Sequence, residues 1–400
     1  MCWCRDLERR YHSGPNVNSD RRLTTFVVVL RQLGSIAHTE LKSLGWLDAR
    51  IEPLEIDVQH IAFPLNTSFD AHQRELKGMV SFPMSIIERE AEILPAVDPH
   101  ERLRLAIEVW MNGVGIPVND KTAMIPKKWE RLGHLALFQH EVFTQDVWKQ
   151  IRKHREVEGL WRAIADALKV DAIGIQHAIA DDEYRSSQVE LLLGTSQVEF
   201  VDHGIIYAFD AAKVMFSSGN ITERRRIGSI EMTGEKVIDA FAGVGYYTFP
   251  MLIHGKAAHV HACEFNPHSL EGLRLGSRLN GIEKKITIHE GDNRQSLPKL
   301  RGSADRCHLG LLPSSEAVWL DCLLALKPSG GCLHVHMNVE EENINSWAEE
   351  TVHRFQSMAD EHQLGFTMSY EHLEKVKWFA PRVRHVVLDV RAIPSATIVQ

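Results

Sequence analysis

The sequence has little cysteine, no long apolar run and no excess of positive charge. Its six cysteines, Cys2, Cys4, Cys263, Cys307, Cys322 and Cys332, are scattered over 400 residues. Only Cys2 and Cys4 are close, and no second Cys or His pair at zinc spacing accompanies them, so no metal site is expected. The scatter suits a reducing compartment, with cysteines serving as small apolar residues. The longest apolar run near the start, residues 26–30, is far too short to cross a bilayer. The N-terminus carries Arg5, Arg9, Arg10, Arg21 and Arg22 but no apolar core or cleavage site of a secretory leader. A cytoplasmic protein with no membrane partner is expected. The net charge of −8 excludes nucleic-acid binding by bulk charge, so any RNA contact must come from local basic patches.

What is present reads as an ordinary folded chain, 44% hydrophobic and 24% charged, long enough for two or three domains. Residues 1–115 form a first region of unknown role. In it, residues 25–30 predict a buried strand and residues 84–94 a helix, with Pro83, Pro95 and Pro99 as punctuation. Residues 116–226 predict an α+β domain. Residues 143–168 read as one helix, and residues 189–193, 198–201 and 205–209 as a small sheet with a turn at Asp202-His-Gly204. From Lys236 the pattern becomes regular, and residues 227–400 form a third region. Strands are expected at 237–241, 259–264, 286–290, 304–312 and 332–338, with helices at 245–254, 268–280, 315–326 and 341–361 between and after them. Two closing strands are expected at 368–376 and 385–390. This alternation predicts an α/β, doubly wound, Rossmann-type sheet.

The strongest local signal is Val237-Ile-Asp-Ala-Phe-Ala-Gly-Val-Gly245. A strand runs into a glycine turn that opens a helix. Gly243 and Gly245 let the backbone approach a ligand, and the helix N-terminus offers free N–H groups. Glu264 ends the next strand, where an acidic group receives ribose hydroxyls. Asp292 and Asn293 end the third strand and suit an adenine edge. One such residue alone would be a cap or a surface carboxylate. Together, at successive strand ends, they point to a nucleoside-containing cofactor. The acidic residues after strands two and three favour S-adenosylmethionine over a nicotinamide dinucleotide. Upstream, Ser217 to Asn220 form a loop, and Arg224 to Arg226 lie in the first turn of a helix. There they oppose the helix dipole, as residues kept for a ligand or partner would. Among the 22 histidines, the alternating pairs His259/His261 and His334/His336 share strand faces and read as packed or surface residues.

Residues 237–340 closely resemble the wybutosine-synthesising aminocarboxypropyltransferases of tRNA. The blocks that carry this are Asp239-Ala-Phe-Ala-Gly-Val-Gly-Tyr-Tyr-Thr248, His261-Ala-Cys-Glu-Phe-Asn-Pro-His268, Gly291-Asp-Asn-Arg294, Leu309-Gly-Leu-Leu-Pro-Ser-Ser315 and His334-Val-His-Met-Asn-Val339. The flanking Met215-Phe-Ser-Ser-Gly-Asn-Ile-Thr-Glu-Arg224 and Val376-Lys-Trp-Phe-Ala-Pro381 also fit, so the resemblance runs from about residue 125 to the end. The related tRNA guanine-N1 methyltransferases share the loop and the glycine turn, but carry Asn-x-Pro where this chain has Leu311-Leu-Pro-Ser-Ser315. The resemblance implies a class I S-adenosylmethionine-dependent transferase domain behind N-terminal α+β domains. Its reaction would move the 3-amino-3-carboxypropyl group of S-adenosylmethionine to 4-demethylwyosine, 3′ of the anticodon in phenylalanine tRNA, and release methylthioadenosine. It implies cofactor contacts at Ser217, Arg224 (the methionine carboxylate), Asp239, Gly243, Gly245, Glu264 (ribose), Asp292 and Asn293. Pro313, Ser314 and Ser315 would meet the acceptor base, and no catalytic base is identified. Candidate tRNA contacts are Lys127, Lys128 and Arg131, then Lys149 to Arg155, Arg224 to Arg226, Arg382 and Arg384. A guanine-N1 methyltransferase and a silent tRNA-binding subunit are the alternatives.

Overall fold

Thr24-Thr-Phe-Val-Val-Val-Leu30 crowds β-branched and aromatic residues together and forms the heart of strand β1 (Arg21–Leu30). Phe26 and Val28 pack on one face and Val27 and Val29 on the other. A strand buried on both faces belongs inside a sheet, and the order here is β2-β3-β1-β4. Its other members are β2 (Leu54–Glu55), β3 (His60–Pro64) and β4 (Ser85–Glu92). Helix α1 (Gly34–Ser43) lays Ala37 and Leu41 against Val27 and Val29. The structure is a computed structural model that describes residues 21–48, 50–66, 80–92, 98–116, 125–178 and 187–395. Cys2, Cys4, Arg5, Arg9, Arg10 and Pro95 lie outside them. The chain divides into two units, Met1–Arg102 and Leu103–Gln400.

The helix expected at 84–94 is instead β4, paired antiparallel with β1 from Arg21↔Glu92 to Val28↔Ser85. Its glutamates favour a helix only weakly. The open edge of β1 offers a full ladder of backbone hydrogen bonds, and tertiary pairing overrides so small a preference.

In the second unit, α2 (Pro99–Gly113) buries Leu103, Ile107 and Met111, spaced four apart along one stripe. They join a core with Phe138, Trp148, Trp161 and Ile173. Strands β5 (Trp129–Leu132), β6 (Leu135–Gln139), β7 (Ala172–Gln176) and β8 (Val189–Leu193) follow in that order across a mixed sheet. The single helix expected at 143–168 is broken into α3 (Asp146–Ile151) and α4 (Val157–Leu168). The break falls in Lys153-His-Arg155, where no apolar side chain continues the stripe. It lets Trp148 stack on Trp161, with ring centroids 6.1 Å apart. The small sheet expected at 189–209 is also divided. Val189–Leu193 joins β7, whereas β9 (Gln197–Asp202) and β10 (Ile205–Asp210) form a separate hairpin. Positive φ at His203 (51°) and Gly204 (77°) gives its tight turn the twist such hairpins need.

Helix α5 (Ile221–Ser229) leads into a seven-stranded sheet. The elements in chain order are β11 (Lys236–Asp239), α6 (Thr248–Ile253), β12 (His259–Glu264), α7 (Pro267–Leu279), β13 (Ile286–Glu290), α8 (Asn293–Ser296), β14 (Arg306–Leu309), α9 (Trp319–Ala325), β15 (Gly331–Glu340), α10 (Ile344–Glu361), β16 (Phe366–Ala380) and β17 (Val383–Pro394). Their sheet order is β13-β12-β11-β14-β15-β17-β16. Strands β11 to β15 are parallel, and β17 is antiparallel to both its neighbours. This is the expected Rossmann-type α/β fold. The order reverses between β11 and β14, which opens a crevice at the carboxyl ends of those strands. Among the described residues, no helix is long and apolar enough to cross a membrane.

The two faces of this sheet differ in chemistry. Leu309, Leu333, Val335, Val386 and Leu388 face a core shared with α9 and α10. The alternate positions carry His308, His334, His336, His385 and Asp389, each 5% exposed or less. The histidine pair His334/His336 is therefore packed, not on the surface. Asp389 Oδ1 accepts from His334 Nδ1 at 2.6 Å, and Arg306 Nη1 donates to His334 Nε2 at 2.8 Å. Arginine can only donate, so His334 is a neutral imidazole with its proton on Nδ1. Asp389 also accepts from Arg226 Nη1 at 2.7 Å, and Arg226 Nε donates to Glu223 at 2.8 Å. A polar chain thus ties α5 to the last strand of the sheet. Beside it, His336 links His385 (2.9 Å) to His308 (3.0 Å).

Two predictions follow from this layer. Burial lowers His334 and His385 from the ordinary 6.5 to about 4, and lowers His336 further. Below pH 6.5 the unfolded chain takes up protons that the folded chain refuses, so stability falls as the pH drops from 6.5 toward 4. Urea unfolding across that window should show the slope, and a flat profile would contradict a neutral buried cluster. Replacing Arg226 with methionine strands the buried Glu223 carboxylate and leaves Asp389 with His334 alone. We expect a loss of about 3–5 kcal/mol. A loss under about 1 kcal/mol would place the ion pairs outside the fold's essential contacts.

Candidate functional site

The crevice holds a cavity of about 560 Å³, bounded in part by Gly243, Glu264, Phe265, Asn293, Leu311 and Ser314. The turn after β11 builds its floor. Gly243 and Gly245 have φ of +57° and +97°, a region closed to most side chains. A Cβ on Gly243 would stand 2.4 Å from the Tyr246 ring, and one on Gly245 2.5 Å from the Phe249 ring. Only Gly243 of the pair lines the cavity. Gly245 serves the turn and the packing of α6.

Asp239 also lies off the wall. It is fully buried, accepts from Thr248 Oγ1 at 2.7 Å and from the Phe241 amide at 3.3 Å, and does not line this cavity. It shapes the turn from beneath.

Glu264 closes β12 and reaches back across the turn. Its Oε2 accepts from the Gly243 N–H at 2.7 Å, and its Oε1 from the Phe265 and Asn266 N–H groups at 3.0 and 2.7 Å. Burial pushes this carboxyl above its ordinary range and outweighs those three donors, which pull it down. Asn266 then caps α7, its side chain accepting from the His268 N–H at 2.9 Å, with Pro267 at the first helical position.

Asp292 and Asn293 arrive at the neighbouring strand end. Asp292 caps α8 through the Arg294 N–H and holds the Arg294 guanidinium, which lowers its pKa. Asn293 Nδ2 donates to the Ala240 carbonyl at 2.8 Å, so its amide oxygen is the acceptor left for a ligand.

The loop after β14 supplies the facing wall. Ser314 and Ser315 both line the cavity. Ser314 Oγ accepts from the Glu316 N–H, and Ser315 Oγ accepts from Trp319 Nε1, each at 3.1 Å. Pro313 follows a cis peptide bond and does not line the cavity; its carbonyl accepts from the Asn338 N–H at 3.1 Å. Pro313 therefore sets the path of the loop, and the two serines face the site.

Ser217 and Arg224 lie elsewhere. Ser217 lines a second cavity, and its Oγ accepts from Lys377 Nζ at 2.7 Å. Arg224 is 4% exposed and faces neither cavity. Its Nε and Nη2 donate to Asp202 at 3.0 and 2.7 Å, and its Nη1 to the Ser217 carbonyl at 2.9 Å. Its guanidinium is thus engaged within the protein. Arg226 is likewise held inside, so of the Arg224–Arg226 run only Arg225 is exposed to a partner.

The apolar walls were not anticipated. Phe241, Phe265, Leu311 and Val318 line the cavity, and Phe265 is 42% exposed. A phenylalanine directly after the acidic residue of strand two was the available signal. Lys377 lies in the Val376–Pro381 segment that carries the family resemblance, and its own signal is that of an ordinary strand lysine.

A Rossmann-type sheet with a carboxylate, an open amide acceptor and apolar walls at its switch point defines a nucleoside-binding transferase class. Comparison with known proteins makes this specific. A TYW2 N-terminal domain model matches residues 115–197, and a TRM5/TYW2 methyltransferase domain model matches residues 198–367. The chain is 40% identical over 306 residues to the tRNA wybutosine-synthesizing protein 2 homolog of Danio rerio, covering 68% of this chain and 72% of that one. It is 39% identical over 297 residues to the tRNA wybutosine-synthesizing protein 2/3/4 of Arabidopsis thaliana. That match covers 74% of this chain but only 29% of the plant protein's length. Among solved structures, P. horikoshii TYW2 in complex with MeSAdo superposes with a TM-score of 0.60 at 28% identity, covering 73% of this chain and all of that one. The chain belongs to the tRNA wybutosine-synthesizing protein 2 family.

Glu264→Gln tests the turn directly. Either orientation of the new amide sets an NH₂ group against a backbone N–H. We expect a loss of about 1–3 kcal/mol in urea unfolding. Unchanged stability would mean that these three N–H contacts do not hold the turn.

Proposed function

We propose that this protein transfers the 3-amino-3-carboxypropyl group of S-adenosylmethionine to 4-demethylwyosine, 3′ of the anticodon of phenylalanine tRNA, and releases methylthioadenosine. The observation that carries the reading is one cavity with two kinds of wall. Glu264 and Asn293 offer acceptors for ribose hydroxyls and an adenine amino group, while Leu311, Ser314 and Ser315 stand across from them. S-adenosylmethionine supplies a sulfonium that activates both its methyl and its γ-carbon. Which carbon reacts depends on alignment at contact distance, which is the protein's contribution.

On this reading, the backbone turn at Gly243 and the Glu264 carboxylate hold the ribose. Asn293 Oδ1 receives the adenine edge, and Phe265 shields it from water. The loop after β14 presents small hydroxyl side chains where the methyl-transferring relatives have an amide directed at a guanine. A tricyclic base has no use for that amide and needs the room. Residues 227–400 then carry the transfer, and residues 116–226 supply the 215–220 loop and part of the tRNA surface. Exposed cations for phosphate contact are Lys127, Lys128, Arg131, Lys149, Arg152, Lys153, Arg155, Arg225 and Arg382. A flipped base in the cavity would add selectivity that charge cannot. The buried free thiols Cys263, Cys307, Cys322 and Cys332 suit the cytoplasm.

The test is mass spectrometry of nucleosides and by-products after incubation with S-adenosylmethionine and tRNA bearing 4-demethylwyosine, with unmodified transcript in parallel. We expect an aminocarboxypropyl increment on the tricyclic base and released methylthioadenosine. A methyl increment on plain guanosine, with S-adenosylhomocysteine, would replace this reading by methyl transfer.

A further inference from the structure

The second cavity, about 280 Å³, adjoins the first, sharing Val214 and Met215 with it. Its polar wall consists of Glu130, Gln176, Ser217 and Lys377. Lys377 reaches in from β16. The contact that holds its Nζ is a hydroxyl, Ser217 Oγ at 2.7 Å, and not a carboxylate. Its basic neighbours differ: Lys375 and Arg384 are both paired with Glu341. Gly219 makes room for the chain, since a Cβ there would stand 3.0 Å from Lys377 Cδ and 3.1 Å from Nζ. Burial and the nearby Arg224 charge disfavour the ammonium, while Glu130 favours it, and the balance lowers its pKa. An ammonium so placed gains from an incoming anion.

Glu130 narrows the choice of anion. A phosphodiester would satisfy Lys377 but be repelled by the carboxylate in the same small cavity. An α-amino acid carries both charges, its carboxylate suited to Lys377 and Ser217 and its ammonium to Glu130. Arg224 cannot take the first role while Asp202 and the Ser217 carbonyl hold it. We infer that this cavity is the subsite for the amino-acid end of the donor, with Lys377 anchoring its carboxylate and Glu130 its ammonium. The inference rests on the donor assigned under the proposed function and adds residues that positional matching had left without a role. Lys377 and Glu130 are positioning residues: they fix where the arm lies, and so which carbon is presented.

Calorimetric titration of the full chain with S-adenosylmethionine and with methylthioadenosine tests it, because the second ligand keeps the nucleoside and lacks the amino-acid end. Lys377→Met should weaken S-adenosylmethionine at least about tenfold and leave methylthioadenosine within about twofold. Glu130→Gln should show the same split, and it serves alone should the lysine variant fail to fold. Equal losses for both ligands, or no loss for either, would overturn the inference while the donor assignment stands. Wild-type protein that binds neither ligand would overturn the donor assignment and this inference with it.

Discussion

Arg226 is the contact on which the rest of the seven-stranded sheet region turns. It sits between Glu223 of its own helix and Asp389 of the last strand. Removing water from three charges is unfavourable, and the arrangement holds only because every partner is in place. Helix α5 is therefore docked in one orientation on the sheet. The loop before it, residues 214–220, is the partition between the two cavities. Arg224, two residues before Arg226, ties that loop to the β9–β10 hairpin through Asp202. The site is thus shaped from below by ion pairs that never reach it.

The histidine layer extends the same logic across the sheet. Parallel strands are usually apolar on both faces. Here one face is apolar, and the other carries a hydrogen-bonded row from His385 to His308, with the Tyr247 ring 4.1 Å from that of His308. Directional bonds replace general packing on this face and fix strand register beside the loop that lines the cavity at Leu311, Ser314 and Ser315. Tyr247 also joins the layer to the glycine turn.

Much of the site was legible because class I folds repeat one local rule: strand, turn, helix, with the ligand at strand ends. That Glu264, Asn293, Gly243 and the two serines line the cavity follows from it. The residues that fall off the cavity wall share a cause. Asp239, Gly245 and Pro313 have the right sequence neighbours but support the site from behind, and a linear pattern does not distinguish a residue that lines a wall from one that braces it. Arg224 and Arg226 looked surplus to a helix start because their partners, Asp202 and Asp389, lie 22 and 163 residues away.

The sequence by itself determined the periodic alternation of strands and helices, the glycine turn, the caps at Asn266 and Asp292, and the family resemblance, since all of these rest on residues a few positions apart. Tertiary structure decided the rest. Residues 85–92 became a strand because the edge of β1 was there to pair with them. The 143–168 stretch is broken into two helices, which lets Trp148 stack on Trp161. Lys377 came to stand with Glu130 and Ser217 only because β16 lies along the edge of the folded sheet. Side-chain partnerships across long chain separations depend on where the sheet places them, and no local propensity records that.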